Sequence, residues 1–439
     1  MRRPVLSEVR LERRLGPFDA AAIVISNVIG GGIFFVPIIV AQMVPNPGAM
    51  LGVWLLGGVL SFAGAMAYAE LASVRPHAGG EYVYLRDAFG PLAAFLTGWT
   101  SFIAGFSGAI AASSVALADY VGRFVPAAAN HRSVIAIVAI ALLTAIHVRG
   151  LGPGRLVQNV LAGIKVAAIV LIVALGFTIG HGEVSNLSAG GAVAPLPWLL
   201  ALVPVMFSYS GWNAAAYVAE EVRDPGRNVP RALALGTIAV VLLYLALNAL
   251  YVIALPMPTI AALGDGRLMD TVAERLFGFA AGNLLALFTI VSLGASISAM
   301  ILAGPRVYFA MARDGIFVRA AGRVHPRFHT PAAAIVAQAI WSSVLVMSGT
   351  LSQLVTYTGF AVVLFSAIAV AALFVLRRRD PVASRPFSAT GYPWAPAIFV
   401  IASAVIVGNA FWRSPGTTLA GVALIAAGMP VYYAFRSRS

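Results

Sequence analysis

The chain of 439 residues is 60% hydrophobic and only 10% charged, with a mean hydropathy of +0.90, which excludes an ordinary water-soluble domain and describes a polytopic membrane protein. It contains no cysteine, so disulfides, thiol catalysis and cysteine metal sites are excluded. The formal charge of +13 reads as membrane topology and contact with anionic lipid rather than nucleic-acid binding.

The opening segment, MRRPVLSEVRLERRLGPF, lacks a short apolar core followed by a small-residue cleavage site. No removable signal peptide is predicted, and residues 1–17 read as a cytoplasmic tail. Apolar runs of about 20 residues then predict twelve transmembrane helices: 18–43, 50–73, 91–121, 133–148, 155–179, 197–219, 231–255, 281–311, 332–349, 352–376, 394–411 and 416–435. With both termini inside, 23 of the 29 basic residues are cytoplasmic, Arg123, Arg132, Arg267, Arg275 and Arg413 lie in outer loops, and Lys165 is left within a span. That asymmetry predicts a multi-pass protein of the cell (inner) membrane with both ends in the cytoplasm.

The first span carries SNVIGGGIFFVP. Glycine tolerates backbone geometries that other residues avoid, and three in succession, Gly30, Gly31 and Gly32, predict an unwound point. Small residues also permit close helix packing, but adjacent glycines put small groups all round the helix rather than on one face. In the fifth span Lys165 is the one lysine of the chain, and an ionisable group there costs roughly 2.5 to 3.5 kcal/mol on insertion scales. It must face a partner or a wet cavity, and since no acid lies in the middle of a span, carbonyl oxygens are its expected counter-groups.

The sixth span has a second break signal in VPVMFSYSGWNAAAYVAEEVRDPGRNVPRA. Pro204 weakens the ladder, and Ser210-Gly211 offers a flexible joint. Breaks in the first and sixth of twelve spans predict a single all-α transporter domain with a five-plus-five inverted repeat, residues 18–180 and 197–376, followed by two additional helices over 394–435. Each second half-helix would expose free amides at a positive dipole end, where a carboxylate docks, while carbonyls ending each first half suit an ammonium. A zwitterionic amino acid presents both groups.

The following loop, EEVRDPGRNVPRA, puts Asp224-Pro225 at the end of one helix and Asn228 with Pro230 at the start of the next. Glu220, Glu221 and Arg231 are candidates for an inner gate. Residues 257–278 have the apolar stripe of an outer lid helix. Ser296 and Ser298 of the eighth span are candidates for the wall near Lys165. His147 and His181 sit at span ends and support no metal cluster, no nucleotide-binding motif is present, and no cofactor is expected.

Four stretches carry a resemblance to the amino acid-polyamine-organocation superfamily and, within it, the L-type amino acid transporter branch. IGGGIFFVP resembles G-S-G-I-F-x-x-P. FSYSGWNAAAYVAEEVRDPGRNVPRA resembles F-A-Y-x-G-W-N followed by E-E-x-x-x-P-x-R-N-x-P. VQNVLAGIK resembles the fifth-span V-Q-x-x-x-x-x-x-K, and TYTGFAVVLF with the RRR after it resembles the tenth span. The resemblance implies a leucine-transporter-type fold with alternating access and a backbone-lined substrate site. By motif position, amides of Gly31, Gly32 and Ile33 would meet the carboxylate, and carbonyls of Val28, Phe207 and Ser210 the ammonium. Phe207 would be the aromatic gate and Asn213 a polar contact. Lys165 would hold the unwound span near Gly30, where sodium-coupled relatives bind a cation, implying sodium independence. Gly31 stands in place of the branch's serine, and Ser210 in place of its frequent glycine. Without cysteine, the disulfide to a heavy subunit used by animal members cannot form, so a lone subunit, as in bacterial members, is implied.

The expected activity is secondary transport of neutral L-amino acids, because a basic side chain would want an intramembrane acid and an acidic one a dedicated arginine. Exchange or facilitated diffusion fits a permanently charged Lys165; a proton-coupled symporter using Lys165 is the alternative. A sensor or scaffold on the same fold is the competing class, disfavoured by the lack of a soluble output domain. No enzymatic activity is expected.

Overall fold

A computed structural model describes residues 11–188, 190–264, 268–278, 281–348, 351–382 and 384–436, the side chains of 128, 129 and 351–360 excepted. Regular structure among these residues is helical, apart from one parallel bridge between Leu15 and Val222. Eight helices are long and apolar enough to cross a membrane: Pro47–Val74, Pro91–Phe124, Leu151–Thr178, Pro225–Ala254, Ala281–Arg313, Ala361–Arg379, Trp394–Arg413 and Pro415–Arg436. The pair Pro17–Val28 (α1) and Gly32–Met43 (α2), bent by 48°, makes a ninth if counted as one span. Arg132–Val148, Pro195–Ser208 and Ala332–Ser348 are shorter apolar helices. Each of these helices falls on a predicted span.

The broken span sits at the centre of the bundle. α1 starts cleanly, because Pro17 at its first position has no amide to satisfy and the Asp19 carboxylate accepts from the Gly16 amide at 2.7 Å. It then packs against Pro225–Ala254, Leu151–Thr178 and Ala281–Ala303. α1 stops at Val28 and α2 resumes at Gly32, which leaves residues 29–31 as the unwound joint. The sixth span is interrupted in the same manner: Pro195–Ser208 ends, residues 209–213 form turns, and a short helix follows over Ala214–Tyr217. Gly211, at φ +102°, occupies the left-handed region that glycine enters without strain.

Two local expectations are corrected. The helix expected to begin at Asn228 begins at Pro225, with Asp224 as its N-cap, so Asn228 and Pro230 lie inside it. Proline supplies a preset φ and needs no donor at a first helical position, which makes Pro225 the better start. The lid over 257–278 is two helices, Met257–Ala262 and Leu268–Phe277, and residues 265–267 lie outside the described residues. Leu268, Met269, Val272, Ala273 and Leu276 are buried, and Gln42 at the end of α2 donates to the Ala261 carbonyl at 2.9 Å. The first of these helices thus rests on the half of the first span that follows the break. Within Pro91–Phe124 a π-turn over Ser101–Gly105 swells the third span on the side that faces the breaks, a position where such turns serve function.

Candidate functional site

The two breaks clasp each other. A β-carbon on Gly32 would lie 2.9 Å from Ser208 Oγ and 3.1 Å from its Cα, and one on Gly211 would lie 3.1 Å from the Asn27 carbonyl carbon. Each helix therefore seats its glycine against the other's backbone. Gly31 is different: its nearest neighbour would be Phe35 Cε1 at 4.0 Å, and its backbone is in the right-handed helical region. Gly32→Ala is accordingly expected to lose most transport, on the order of tenfold or more, whereas Gly31→Ser, which restores the branch's hydroxyl, stays active. Uptake into liposomes, normalised to protein that elutes monodisperse in detergent, checks both; equal loss in the two variants would contradict the clasp.

Lys165 is fully buried and its Nζ donates to the carbonyls of Ile29 (2.5 Å) and Ser26 (3.3 Å) and to Ser296 Oγ (3.0 Å). Ser296 Oγ also lies 3.0 Å from the Ile29 carbonyl. The ammonium thus caps the carbonyl end of α1, where the helix dipole favours a cation, and among the described residues it has no carboxylate partner. This is the placement expected for Lys165 and Ser296; Ser298 instead meets His147 Nε2 at 2.9 Å. Tyr244, from Pro225–Ala254, was not among the expected residues. Its hydroxyl lies 2.9 Å from the Val28 carbonyl and 3.2 Å from that of Ser208, tying the ends of both first halves together.

These contacts refine the expected ammonium acceptors. The Val28 carbonyl already accepts from the Gly30 amide at 2.8 Å and from Tyr244, which uses both of its lone pairs. The Phe207 carbonyl accepts from the Ser210 amide at 3.0 Å. No hydrogen bond to the Ser210 carbonyl is formed among the described residues. The first amides of α2, from Gly32 and Ile33, have no partner within their own helix, and the three glycines are only half-buried.

Two cavities flank the clasp. An inner one of about 150 Å³ is lined by Asn27, Ser210, Gly211 and Asn213 of the breaks, Thr97, Thr100 and Ser101 of the third span, and Glu81 with Tyr217 at one end. Asn27 Nδ2, Thr97 Oγ1 and Ser101 Oγ are buried there without a protein partner, so its wall has hydrogen-bonding capacity in reserve. An outer cavity of about 860 Å³ is lined by Phe35, Pro204 and Phe207 among others. Along both broken helices the Gly32–Ser208 contact falls between the residues of the two cavities. Phe207, the expected gate, therefore faces the outer cavity, and Val28, Gly31, Gly32 and Ile33 line neither.

No acid lies in the middle of a predicted span, yet Glu81, from a segment between spans, lines the inner cavity. Hydropathy assigns its segment to a loop; the turn through Gly79 (φ +113°) and Gly80 (φ +52°) instead folds the chain back into a short helix, Glu81–Phe89. At the same end of the bundle, the basic end that carries the arginine-rich loops expected to be cytoplasmic, Arg306 Nη2 donates to both oxygens of buried Glu221 at 2.9 and 2.8 Å, and Glu220 meets Arg313 at 3.1 Å. Leu15 and Val222 are bridged alongside by Leu15 N–H to Glu221 O (3.0 Å) and Arg223 N–H to Leu15 O (2.9 Å). Of the gate candidates, Arg231 is exposed and forms no ion pair among the described residues. The side chains of residues 356–360 in the tenth-span motif lie outside the described residues.

A bundle of apolar helices, two of them broken and clasped beside a small internal cavity, describes a multi-pass membrane protein. The sequence profile of the amino acid permease family matches residues 15–435, and the chain belongs to that family, within the amino acid-polyamine-organocation superfamily. It is 28% identical over 430 residues to the serine/threonine exchanger SteT of Bacillus subtilis (strain 168), covering 98% of each chain. It is 29% identical over 438 residues to the large neutral amino acids transporter small subunit 2 of Homo sapiens, covering 97% of this chain and 81% of that one. It is 28% identical over 443 residues to the human cystine/glutamate transporter, covering 98% and 87%.

Proposed function

We propose that this permease is a sodium-independent exchanger of small neutral L-amino acids that works by alternating access across the cell membrane. The observation that carries the reading is the inner cavity itself: about 150 Å³, lined by residues of both helix breaks, with the hydroxyl and amide groups of Asn27, Thr97, Thr100, Ser101 and Asn213 set in a mainly apolar wall that includes Phe106, Met300 and Phe365. The ammonium docks on the Ser210 carbonyl; the amides of Gly31, Gly32 and Ile33, which line neither cavity in this conformation, take the α-carboxylate once the Gly32–Ser208 contact loosens, with the carbonyls of Val28 and Phe207 then exchanging partners to meet the ammonium. Asn213 and the hydroxyls of Thr100 and Ser101 then meet a short polar side chain. This agrees with the activity for which the serine/threonine exchanger SteT among its relatives is named. Lys165 replaces a bound cation as the holder of the break.

The same reading takes the three shorter apolar helices as spans, which makes twelve with the broken pair, arranged as a five-plus-five inverted repeat with two further helices. The basic end, with Glu221–Arg306 and the Leu15 bridge, is cytoplasmic. The lid helices over 257–277 cover the outer end. A lone subunit suffices, since the chain has no cysteine for a disulfide-linked partner.

Purified protein in liposomes tests the proposal. Vesicles loaded with serine should take up labelled serine, threonine or alanine in sodium-free buffer, and empty vesicles should take up far less. Uptake that requires sodium, or that is confined to arginine or glutamate, would overturn it.

A further inference from the structure

Glu81 is a carboxylate at the floor of the inner cavity that the proposed exchange does not use. Tyr68 Oη donates to its Oε2 at 2.8 Å, and Asn213 Nδ2 lies 3.4 Å from the same oxygen. Asn213 in turn donates to Tyr217 Oη at 3.1 Å. The groups that meet Glu81 among the described residues are neutral: Tyr68 from the second span, Tyr84 from its own helix, Tyr217 and Asn213 from the sixth span, and the hydroxyls of the third. Arg75, whose charge acts on Tyr84, is engaged by Asp87 at 2.8 Å. Buried Glu70 and Glu221 are neutralised by Arg377 and Arg306, whereas Glu81 forms no ion pair among the described residues.

A carboxylate in such a place is held by neutral donors alone, and burial raises its affinity for a proton against their opposing pull. Its attachment matters as much as its surroundings. The turn that carries it is anchored to the inner part of the sixth span, through Gly79 N–H to Tyr217 O (3.1 Å) and Ala78 N–H to Glu220 Oε2 (3.0 Å). Three elements that must part when the basic end opens therefore meet at one titratable group.

We infer that Glu81 is a proton-binding site that latches the cavity floor: ionised, it holds Tyr68, Asn213 and Tyr217 together, and protonated, it releases them and lets the basic end open faster. One proton passes from water to a carboxylate oxygen and back, and no other bond changes. The inference rests on the cavity being the substrate site proposed above.

Exchange in liposomes, measured while pH on the basic-end side is varied between about 5 and 8, tests it. The parent should exchange faster at low pH by about fivefold. Glu81→Gln, which mimics the protonated group, should be fast and flat across that range, and Glu81→Asp should keep a pH dependence. Indicator-dye titration of the detergent-purified proteins gives a readout independent of transport: over this range the parent should take up more protons than the Gln variant. A flat parent profile, a Gln variant that retains the slope, or identical titrations would overturn the latch. If no amino acid is transported, the exchange reading fails, and the titration still decides whether Glu81 binds the proton.

Discussion

Lys165→Met should reduce exchange more than tenfold without lowering the melting temperature of the purified protein. The two effects separate because the ammonium has opposing consequences. Burying a charge without a counter-ion costs free energy, on the order of 2.5 to 3.5 kcal/mol on insertion scales, and methionine removes that cost while filling nearly the same volume. The loss is confined to donors: Ser26 O is left without Lys165, while Ile29 O keeps Ser296 Oγ, a penalty of about 1 to 3 kcal/mol for each buried acceptor truly stranded. The two terms nearly cancel in stability. They do not cancel in function, because Ile29 and Ser26 fix where the chain leaves α1, and hence where the amides of residues 31–33 point. Displacing an anion site by a fraction of an ångström is enough to cost the expected tenfold, about 1.4 kcal/mol. Uptake measured beside thermal unfolding in detergent checks the prediction. A collapse of both together would make Lys165 a structural residue and nothing more.

The helix breaks and their support were legible in the sequence wherever a residue type was out of place in its surroundings. Three glycines inside an apolar run, the single lysine of the chain, and Ser210-Gly211 after Pro204 each contradict the needs of an ordinary spanning helix, and each marks the break or its support. Tyr244 left no such trace. A tyrosine is unremarkable in a membrane helix, and its partners are backbone carbonyls of Val28 and Ser208, which no side chain advertises. Glu81 was hidden for the opposite reason: the surrounding RPHAGGEYVYLRDAF is polar enough to read as a loop, and only the turn at Gly79 and Gly80 reveals that the chain folds back toward the cavity. Spans were easier than their lengths. Arg132–Val148, with 17 residues, matches the predicted fourth span almost to the residue, yet is too short to satisfy a length criterion by itself.

The second large effect is expected at Glu221 and Arg306, whose side chains are only 1% and 2% exposed. Arg306→Met should destabilise the protein by about 3 to 5 kcal/mol at neutral pH, because a buried carboxylate is then stranded. A stranded carboxylate recovers stability by taking up a proton, so the deficit should shrink as pH falls toward about 5. Glu221→Gln combined with Arg306→Met removes both charges and should recover most of the loss, since a buried ion pair is worth little relative to neutral groups of similar volume. What the double variant cannot recover is the closure of the basic end. The pair links the eighth span to the segment after the sixth-span break, beside the Leu15–Val222 bridge, and these contacts must part for the cavity to open there. The cysteine-free sequence permits a direct measurement: Ser101→Cys places a single thiol on the wall of the inner cavity. A membrane-impermeant maleimide added on the basic-end side should label it faster in the double variant than in the otherwise unchanged chain. Equal labelling rates would mean that the pair holds the fold together without governing access, and that the gate lies with Glu81 and its tyrosines instead.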